Sequence, residues 1–322
     1  MVLTLFEDAS DSLHGSGHDS HTACPPRATS EKLMQKSPKA RQHLWIILGP
    51  PAILIFDLVV PCIIYYSWYG VHRSRWEREC QAYSASFDMC PLERPEFDKH
   101  ILGLAIISFG FGELYILIAR VCRLLFHPKD CAPLLSNSRW ELDATSWVYG
   151  VSMICALIPF VVSSTREIPV LYLYSPAFLI GFLGVLMLIT LVPFPIPIGI
   201  DSERRGLPLR PFIYYAAEDI IAVDCLQDRE FRVRFNIRYE TSIAFRNLFL
   251  HLTVWWLFGV CVYIGCLSAI IWTLEFHIAF GLSLGVLFSF LIFWGLVSCL
   301  YVRYSVRRQA KHERSTPGDT NV

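Results

Sequence analysis

The chain has 322 residues, in which 28 basic side chains balance 28 acidic ones, 54% of residues are hydrophobic and 17% are charged. Soluble domains carry roughly 25% charged residues, and the mean hydropathy here is +0.43. This composition excludes a disordered chain and a disulfide-dense secreted domain. With no excess of positive charge, a nucleic-acid partner is not expected either.

Apolar stretches dominate the chain after a polar start. Residues 1–43 are rich in Ser, His, Asp and Pro, which predicts a disordered tail. Six later stretches are each long enough to cross a hydrocarbon core of about 30 Å as a helix. Of the 56 charged residues, four lie inside them, namely Asp57, Glu113, Arg120 and Arg123. We therefore predict an all-α fold, a six-span transmembrane helical bundle over residues 44–302. The spans are 44–68, 101–126, 145–163, 170–193, 248–274 and 278–302.

Basic residues are unevenly divided between the two sides of this bundle. Of the 28 Lys and Arg residues, 22 lie on the side of both termini and six on the other side. Because cytoplasmic segments are enriched in Lys and Arg, both termini are predicted to be cytosolic, including a basic tail at 303–322. This distribution of basic residues does not distinguish the endoplasmic reticulum from the plasma membrane. The expected partners are the lipid bilayer and the anionic lipid headgroups at its cytosolic face.

One loop on the opposite side is sizeable, at about residues 69–100, and it contains Cys80 and Cys90. The predicted topology puts these two thiols in an oxidising compartment, where a disulfide can form. The alternative is two free thiols in a flexible loop.

The segment 200–247, called the insert below, is predicted to be an amphipathic cytosolic segment between spans four and five. Within it, residues 231–239 alternate apolar and mostly basic side chains. Alternation with a period of two is typical of a strand. The same run could be a helix at the headgroup boundary, with arginines directed at anionic lipid. The interfacial position is favoured because both flanks re-enter the membrane.

Two carboxyl groups fall near the middle of predicted spans, Asp57 in span one and Glu113 in span two. An unpaired charge at that depth costs about 2.5 kcal/mol or more, so these groups are protonated, paired or in contact with a polar cavity. Buried carboxyl groups can act as acid and base, which makes Asp57 and Glu113 candidate catalytic residues. The alternatives are hydrogen bonding between neutral acids, or pairing of Glu113 with Arg120.

The insert also carries an acidic cluster, in which Asp219, Asp224 and Asp228 follow Glu218. Carboxylates at a membrane surface can hold Mg²⁺ against a diphosphate, so these three aspartates are a candidate metal site. The spacing of five and then four residues is not that of prenyl-transferring membrane enzymes, and no second copy occurs. The alternative is the solvated face of a helix whose acids pair with arginines such as Arg229 and Arg232.

The insert contains three runs, Ala217-Glu-Asp-Ile-Ile-Ala-Val-Asp224, Arg229-Glu-Phe-Arg232 and Arg238-Tyr-Glu-Thr-Ser-Ile-Ala-Phe-Arg246. In these runs the chain resembles a group of uncharacterised multi-pass membrane proteins of filamentous fungi. The resemblance covers about residues 211–305 and brings no catalytic residues. It implies a fungal membrane protein, encoded alongside a specialised-metabolite pathway.

Three functions are compatible with these features. The favoured one is a polytopic membrane protein that acts as a non-enzymatic accessory or scaffold of a membrane-associated process, with the insert as its partner- or lipid-facing surface. The second is an intramembrane acid/base enzyme of the cyclase or isomerase type acting on a lipophilic small molecule. The third is a proton-coupled transporter. No motif in the sequence identifies a cofactor.

Overall fold

The computed structural model describes residues 33, 48–83, 90, 92, 94–95, 97–127, 131–136, 141–197, 199–227 and 229–315. The predicted tail at 1–43 therefore lies outside the described residues, apart from Leu33. Asp228, one of the three candidate metal ligands, is also outside them. The described part of the predicted basic tail, as far as residue 315, is helical.

Eight helices account for most of the described residues. The first, α1, consists of Gly49–Ile53, a π-helical stretch Leu54–Val59 and Val60–Tyr83. The fifth, α5, is Phe212–Asp219 and continues into a second π-helical stretch, Ile220–Asp224. The others are α2 (Lys99–Phe126), α3 (Ala144–Arg166), α4 (Pro169–Thr190), α6 (Arg229–Thr241), α7 (Ile243–Thr273) and α8 (Phe276–Ser315).

Six of these helices, α1 to α4, α7 and α8, are long and apolar enough to cross a membrane. The predicted all-α, six-span fold is therefore confirmed, and the chain is an integral membrane protein. Among the described residues, extended pairing is limited to two isolated bridges, Pro195 with Pro208 and Ile200 with Glu203.

Helix α1 is longer than its apolar stretch. The predicted span ended at residue 68, but the helix continues to Tyr83. Hydropathy marks where the apolar residues stop and not where the helix stops, and the polar extension is supported by an ion pair between Arg73 and Glu77 at 2.9 Å, one turn apart. Near the end of the helix, Cys80 is joined to Cys90 in a disulfide.

The strand interpretation of residues 231–239 is wrong, because they belong to helix α6. Phe231 and Phe235 are one helical turn apart and both are buried. The Phe235 ring packs edge-on against Phe245 and Phe249 of α7. Arg232, predicted to face lipid headgroups, is fully buried instead. The buried face of α6 contains both aromatic and basic residues. An alternation of these two types in the sequence therefore does not distinguish this helix from a strand.

An apolar core joins the six membrane-crossing helices, α1 to α4, α7 and α8. Its aromatic centre is Tyr65, whose ring lies 4.4 Å from that of Phe280, with Tyr172 6.1 Å from Phe280. The end of the bundle that carries the insert is called the insert side, and the end that carries the Cys80–Cys90 disulfide is called the disulfide side.

Candidate functional site

A cavity of about 650 Å³ opens between α1, α2 and α8 in the half of the bundle nearer to the insert. Its walls are apolar, with Pro50 and Leu54 from α1, Ile116 and Ala119 from α2, and Ile292 from α8. Its charged lining residues are Arg120, Arg123 and Asp224. The cavity is therefore apolar over most of its surface and charged where α2 meets the insert.

Arg120 is held in place by three hydrogen bonds. Its Nε donates to Ser146 at 3.0 Å, and its two Nη atoms donate to Asp143 at 2.5 Å and to Asp224 at 2.8 Å. These bonds connect the end of α2 with the start of α3 and the end of α5. The predicted alternative, in which Glu113 pairs with Arg120, is thus not formed.

Arg123, one turn further along α2, has more of its donor capacity available. Its Nη1 lies 3.5 Å from the Val223 carbonyl oxygen, which is a long hydrogen bond. A guanidinium carries five N–H donors in a planar fork that matches a carboxylate or a phosphate. Burial raises the pKa of the neighbouring Asp224, and this shift is opposed by Arg120 and Arg123. Arg123 is therefore the cation at the cavity that is best placed to meet an anionic group.

A second depression differs from this cavity in its chemistry. It has a volume of about 410 Å³, lies along α4 and is lined by residues that include Leu171, Tyr174, Phe178 and Phe182. None of the described residues that line it is charged. It therefore offers apolar contact without a partner for a polar head group.

The two predicted intramembrane carboxyl groups come together between α1 and α2. Asp57 and Glu113 are 1% and 9% exposed, and their side chains are close enough to share a hydrogen bond. Tyr149 of α3 donates a hydrogen bond from its hydroxyl group to Glu113. Asp57 Oδ1 has no hydrogen-bond donor among the described residues. Neither carboxyl group lines the 650 Å³ cavity.

The backbone of α1 explains how Asp57 reaches this position. Pro61 has no N–H to donate, and around it the helix adopts π geometry, in which the Val60 N–H bonds to the Ile55 carbonyl five residues earlier. In that register Pro61 would serve the Phe56 carbonyl, which is satisfied instead by the hydroxyl of Ser108 on α2 at 2.6 Å. The π turn places Asp57 against α2.

Glycine at position 112 makes the approach possible. A Cβ atom at Gly112 would overlap Asp57 Oδ1 and would lie 3.0 Å from Phe56 Cβ. The carboxyl group of Asp57 therefore packs directly on the α2 backbone, at a place where no larger residue fits.

Three aspartates cap the N-terminus of α3. The backbone N–H of Ala144 donates to Asp201 at 2.9 Å, that of Thr145 to Asp219 at 3.0 Å, and that of Ser146 to Asp143 at 3.2 Å. The first N–H groups of a helix lack partners within it and carry partial positive charge. Because Asp201 and Asp219 belong to the insert, these bonds fasten the insert to the membrane bundle.

A buried arginine balances part of this negative charge. Arg232 of α6 is fully buried and lies 2.7 Å from Asp219 and 3.3 Å from Glu218. Burial raises the pKa of Glu218, and Arg232 opposes that shift. Burial together with Asp219 raises the pKa of Asp201 well above its ordinary value. Arg232 opposes this rise only in part, and Asp201 Oδ2 has no hydrogen-bond partner among the described residues.

A comparison with protein families matches residues 98–313 to a model described as a domain of unknown function (DUF8766). The chain belongs to the DUF8766 family. No curated protein and no solved structure matches the chain. The DUF8766 description names no organism and no process, so membership of a fungal membrane-protein group stays a prediction.

The DUF8766 region includes Glu113, Arg123 and Asp224, and it starts after Asp57. It thus covers two of the three cavity helices, α2 and α8, together with the whole insert. The first wall of the cavity and one partner of the carboxyl pair come from α1, which precedes the region.

Two of the three candidate metal ligands, Asp219 and Asp224, are paired with different arginines. In this DUF8766 protein Asp219 is salt-bridged to Arg232 and Asp224 to Arg120. The part of the chain that the structure describes holds no group of three His, Cys, Asp or Glu side chains that could bind a metal ion. Asp219 is fully buried, so the alternative of a solvated helix face is wrong for this residue.

Several residues of the site were not singled out from the sequence. Ser108, Gly112, Asp143 and Tyr149 act through contacts with distant parts of the chain. Arg123 lies inside a predicted span, and nothing in its sequence neighbourhood indicates a cavity. A gap between three helices leaves no signal in residue spacing.

Proposed function

We propose that the protein is a non-enzymatic accessory protein of the membrane that holds an amphiphile with an anionic head group in the cavity between α1, α2 and α8. The observation that carries this proposal is the combination of apolar walls with Arg123 at one end of the cavity. A molecule with an apolar chain and a carboxylate or phosphate head complements both parts.

The size of the cavity supports this assignment. Ligand sites range from about 300 to 1,000 Å³ and are mostly apolar with a few placed polar groups, and this cavity measures about 650 Å³. The bonds of Arg120 to Asp143 and Asp224 keep the charged end in a fixed geometry. An anion at Arg123 would then gain a charge-assisted hydrogen bond away from bulk water.

The enzyme hypothesis has less support. An acid/base enzyme needs its acid and base within hydrogen-bonding reach of the bound molecule. Asp57 and Glu113 pack against one another and against α2 backbone instead of lining the cavity. In a proton-coupled transporter, the carboxyl pair would bind a proton and would not need to contact the substrate. The transporter hypothesis therefore has support only if Asp57 and Glu113 bind a proton.

The accessory role would involve the outer face of the insert. Val233 and Ile237 lie one turn apart on α6 and are exposed. Glu230 and Glu240 flank them and are exposed as well. This face is available to a partner or to lipid, whereas the inner face is occupied by Arg232 and its acids. The link to fungal specialised metabolism is a further part of the proposal and rests on the resemblance of residues 211–305.

Binding of oleate and of oleyl alcohol, which share a chain and differ in the head group, tests the proposal. Full-length protein in phosphatidylcholine nanodiscs should bind oleate in preference to the alcohol. Dioleoyl phosphatidate, tested in parallel, distinguishes a membrane lipid from a free acid as the source of the anion. Native mass spectrometry can count the bound molecules.

Two substitutions locate the binding. Arg123→Gln should weaken oleate binding by about 10- to 150-fold, since a hydrogen bond to a charged group contributes roughly 1.5–3 kcal/mol, and should leave binding of the alcohol unaffected. Ala119→Phe should weaken binding of both by filling the cavity. Arg246→Gln, which changes an exposed arginine on the insert side, is the matched control. Equal binding of acid and alcohol, insensitive to Arg123→Gln, would contradict the proposal.

A further inference from the structure

Among the described residues, no cation lies beside the carboxyl pair to balance two negative charges. The nearest arginine along α2, Arg120, is seven residues away and is engaged with Asp143 and Asp224. Glu113 instead receives a hydrogen bond from the neutral hydroxyl of Tyr149. Helix α8, which also contacts the π turn, has no Asp, Glu, Lys, Arg or His between residues 278 and 302.

A hydrogen bond between two carboxyl groups requires a proton on one of them. Two carboxylates in contact cannot both be ionised in a dry site, and this restriction underlies carboxyl dyads that share one proton. Asp57 is 1% exposed and Glu113 9% exposed, so water does not solvate either group. Asp57 Oδ1 is a further buried acceptor, and it has no donor in the part of the chain that the structure describes.

We propose that Asp57 and Glu113 form a proton-binding site inside the membrane, in which one proton is held between the two carboxyl groups while Tyr149 donates to Glu113. The ligand of this site is a proton, and the inference stands independently of any molecule in the cavity. Helix α1 connects the two, because Leu54 lines the cavity and belongs to the π-helical turn that carries Asp57.

The structure also explains why the pair stays together. Gly112 lets Asp57 rest on the α2 backbone, and Ser108 satisfies the Phe56 carbonyl that Pro61 leaves without an N–H donor. The close approach at Gly112 and the hydrogen bond from Ser108 both hold the π turn against α2. The geometry is therefore maintained by apolar packing and neutral hydrogen bonds, which need no counter-charge.

Infrared spectroscopy tests this proposal directly, because the carbonyl stretch of a protonated carboxyl group is separate from that of a carboxylate. The full-length protein should be measured at neutral pH in a detergent without carbonyl groups, so that lipid esters do not obscure the band. The wild type should show a protonated-carboxyl band that shifts in D₂O. The double variant Asp57→Asn/Glu113→Gln should lose the part of this band that the pair contributes. A difference spectrum against the wild type isolates that part, because buried acids of the insert such as Asp201 are common to both proteins.

Controls separate proton binding from a general structural effect. Glu167→Gln, at an exposed carboxylate on the disulfide side, should leave the band unchanged. Tyr149→Phe keeps both carboxyl groups and removes the hydrogen bond to Glu113, so the band should remain and move in frequency. A wild-type protein without the band, or a double variant that retains it at full intensity, would overturn the proposal. A band unaltered by Tyr149→Phe would overturn the role given to Tyr149.

Discussion

Replacing Gly112 by alanine tests the packing of α1 against α2 at the carboxyl pair. The added Cβ would overlap Asp57 Oδ1 and would lie 3.0 Å from Phe56 Cβ, whereas unstrained carbon contacts begin at about 3.5 Å. Phe56 Cβ is fixed to the backbone of the π turn, and the Asp57 carboxyl group could give way only by rotating out of its buried position. We expect the overpacking to lower the free energy of unfolding by about 1–3 kcal/mol.

Gly110→Ala is the matched control, two residues earlier on the same helix. A Cβ there would meet Leu157 at 3.9 Å, which is an ordinary contact. Alanine in a helix is more stable than glycine by roughly 0.5–1 kcal/mol, so this variant should be neutral or slightly stabilised. Unfolding of both variants can be followed by circular dichroism during titration with a denaturing detergent. Equal stability of the two variants would refute the packing described for Asp57.

Two further predictions concern the insert. The folded-state pKa of Asp201 lies above the unfolded value of 3.8. The contribution of Asp201 to stability is therefore fully present below about pH 3.8 and is lost as the pH rises through the folded pKa. Asp201→Asn should abolish this loss and raise the melting temperature at neutral pH. Asparagine keeps the oxygen that accepts the hydrogen bond from Ala144 N–H, and it tolerates the positive φ of 48° at this position. A variant less stable than the wild type at neutral pH would contradict this prediction. Arg232→Met should destabilise the protein by about 3–5 kcal/mol by leaving Glu218 and Asp219 buried without their counter-charge. Arg246→Met, at an exposed arginine, should have little effect, and equal melting temperatures for the two arginine variants would argue against the buried pairing.

The membrane fold could be predicted because charges are excluded from the spans by the cost of burying them in hydrocarbon. The same physics predicted that Asp57 and Glu113 need partners. It did not predict where α1 ends, since Arg73 and Glu77 stabilise the helix beyond the apolar stretch. Helix length and membrane thickness are separate properties of the sequence.

The packing of the insert could not be predicted from the sequence, because several of its charged side chains are buried. Arg232 and Asp219 lie in a sequence pattern that is typical of surface residues. They are buried because they form an ion pair and because Asp219 accepts a hydrogen bond from the N-terminus of α3. No local pattern reports such a three-way arrangement. The cavity beside Arg123 is a property of the gap between α1, α2 and α8, so it too emerges from tertiary packing alone.

The cavity between α1, α2 and α8 is the place where an anionic amphiphile should bind. A fatty acid with a photoactivatable diazirine in its chain, cross-linked to the full-length protein in nanodiscs and mapped by peptide mass spectrometry, tests that point directly. We predict labels on α1, α2 and α8 at residues such as Leu54, Ile116 and Ile292, displaced by excess oleate and lost in Ala119→Phe. Labels concentrated on the second depression along α4, around Phe178, or spread evenly over the lipid-facing helices, would contradict binding in the cavity.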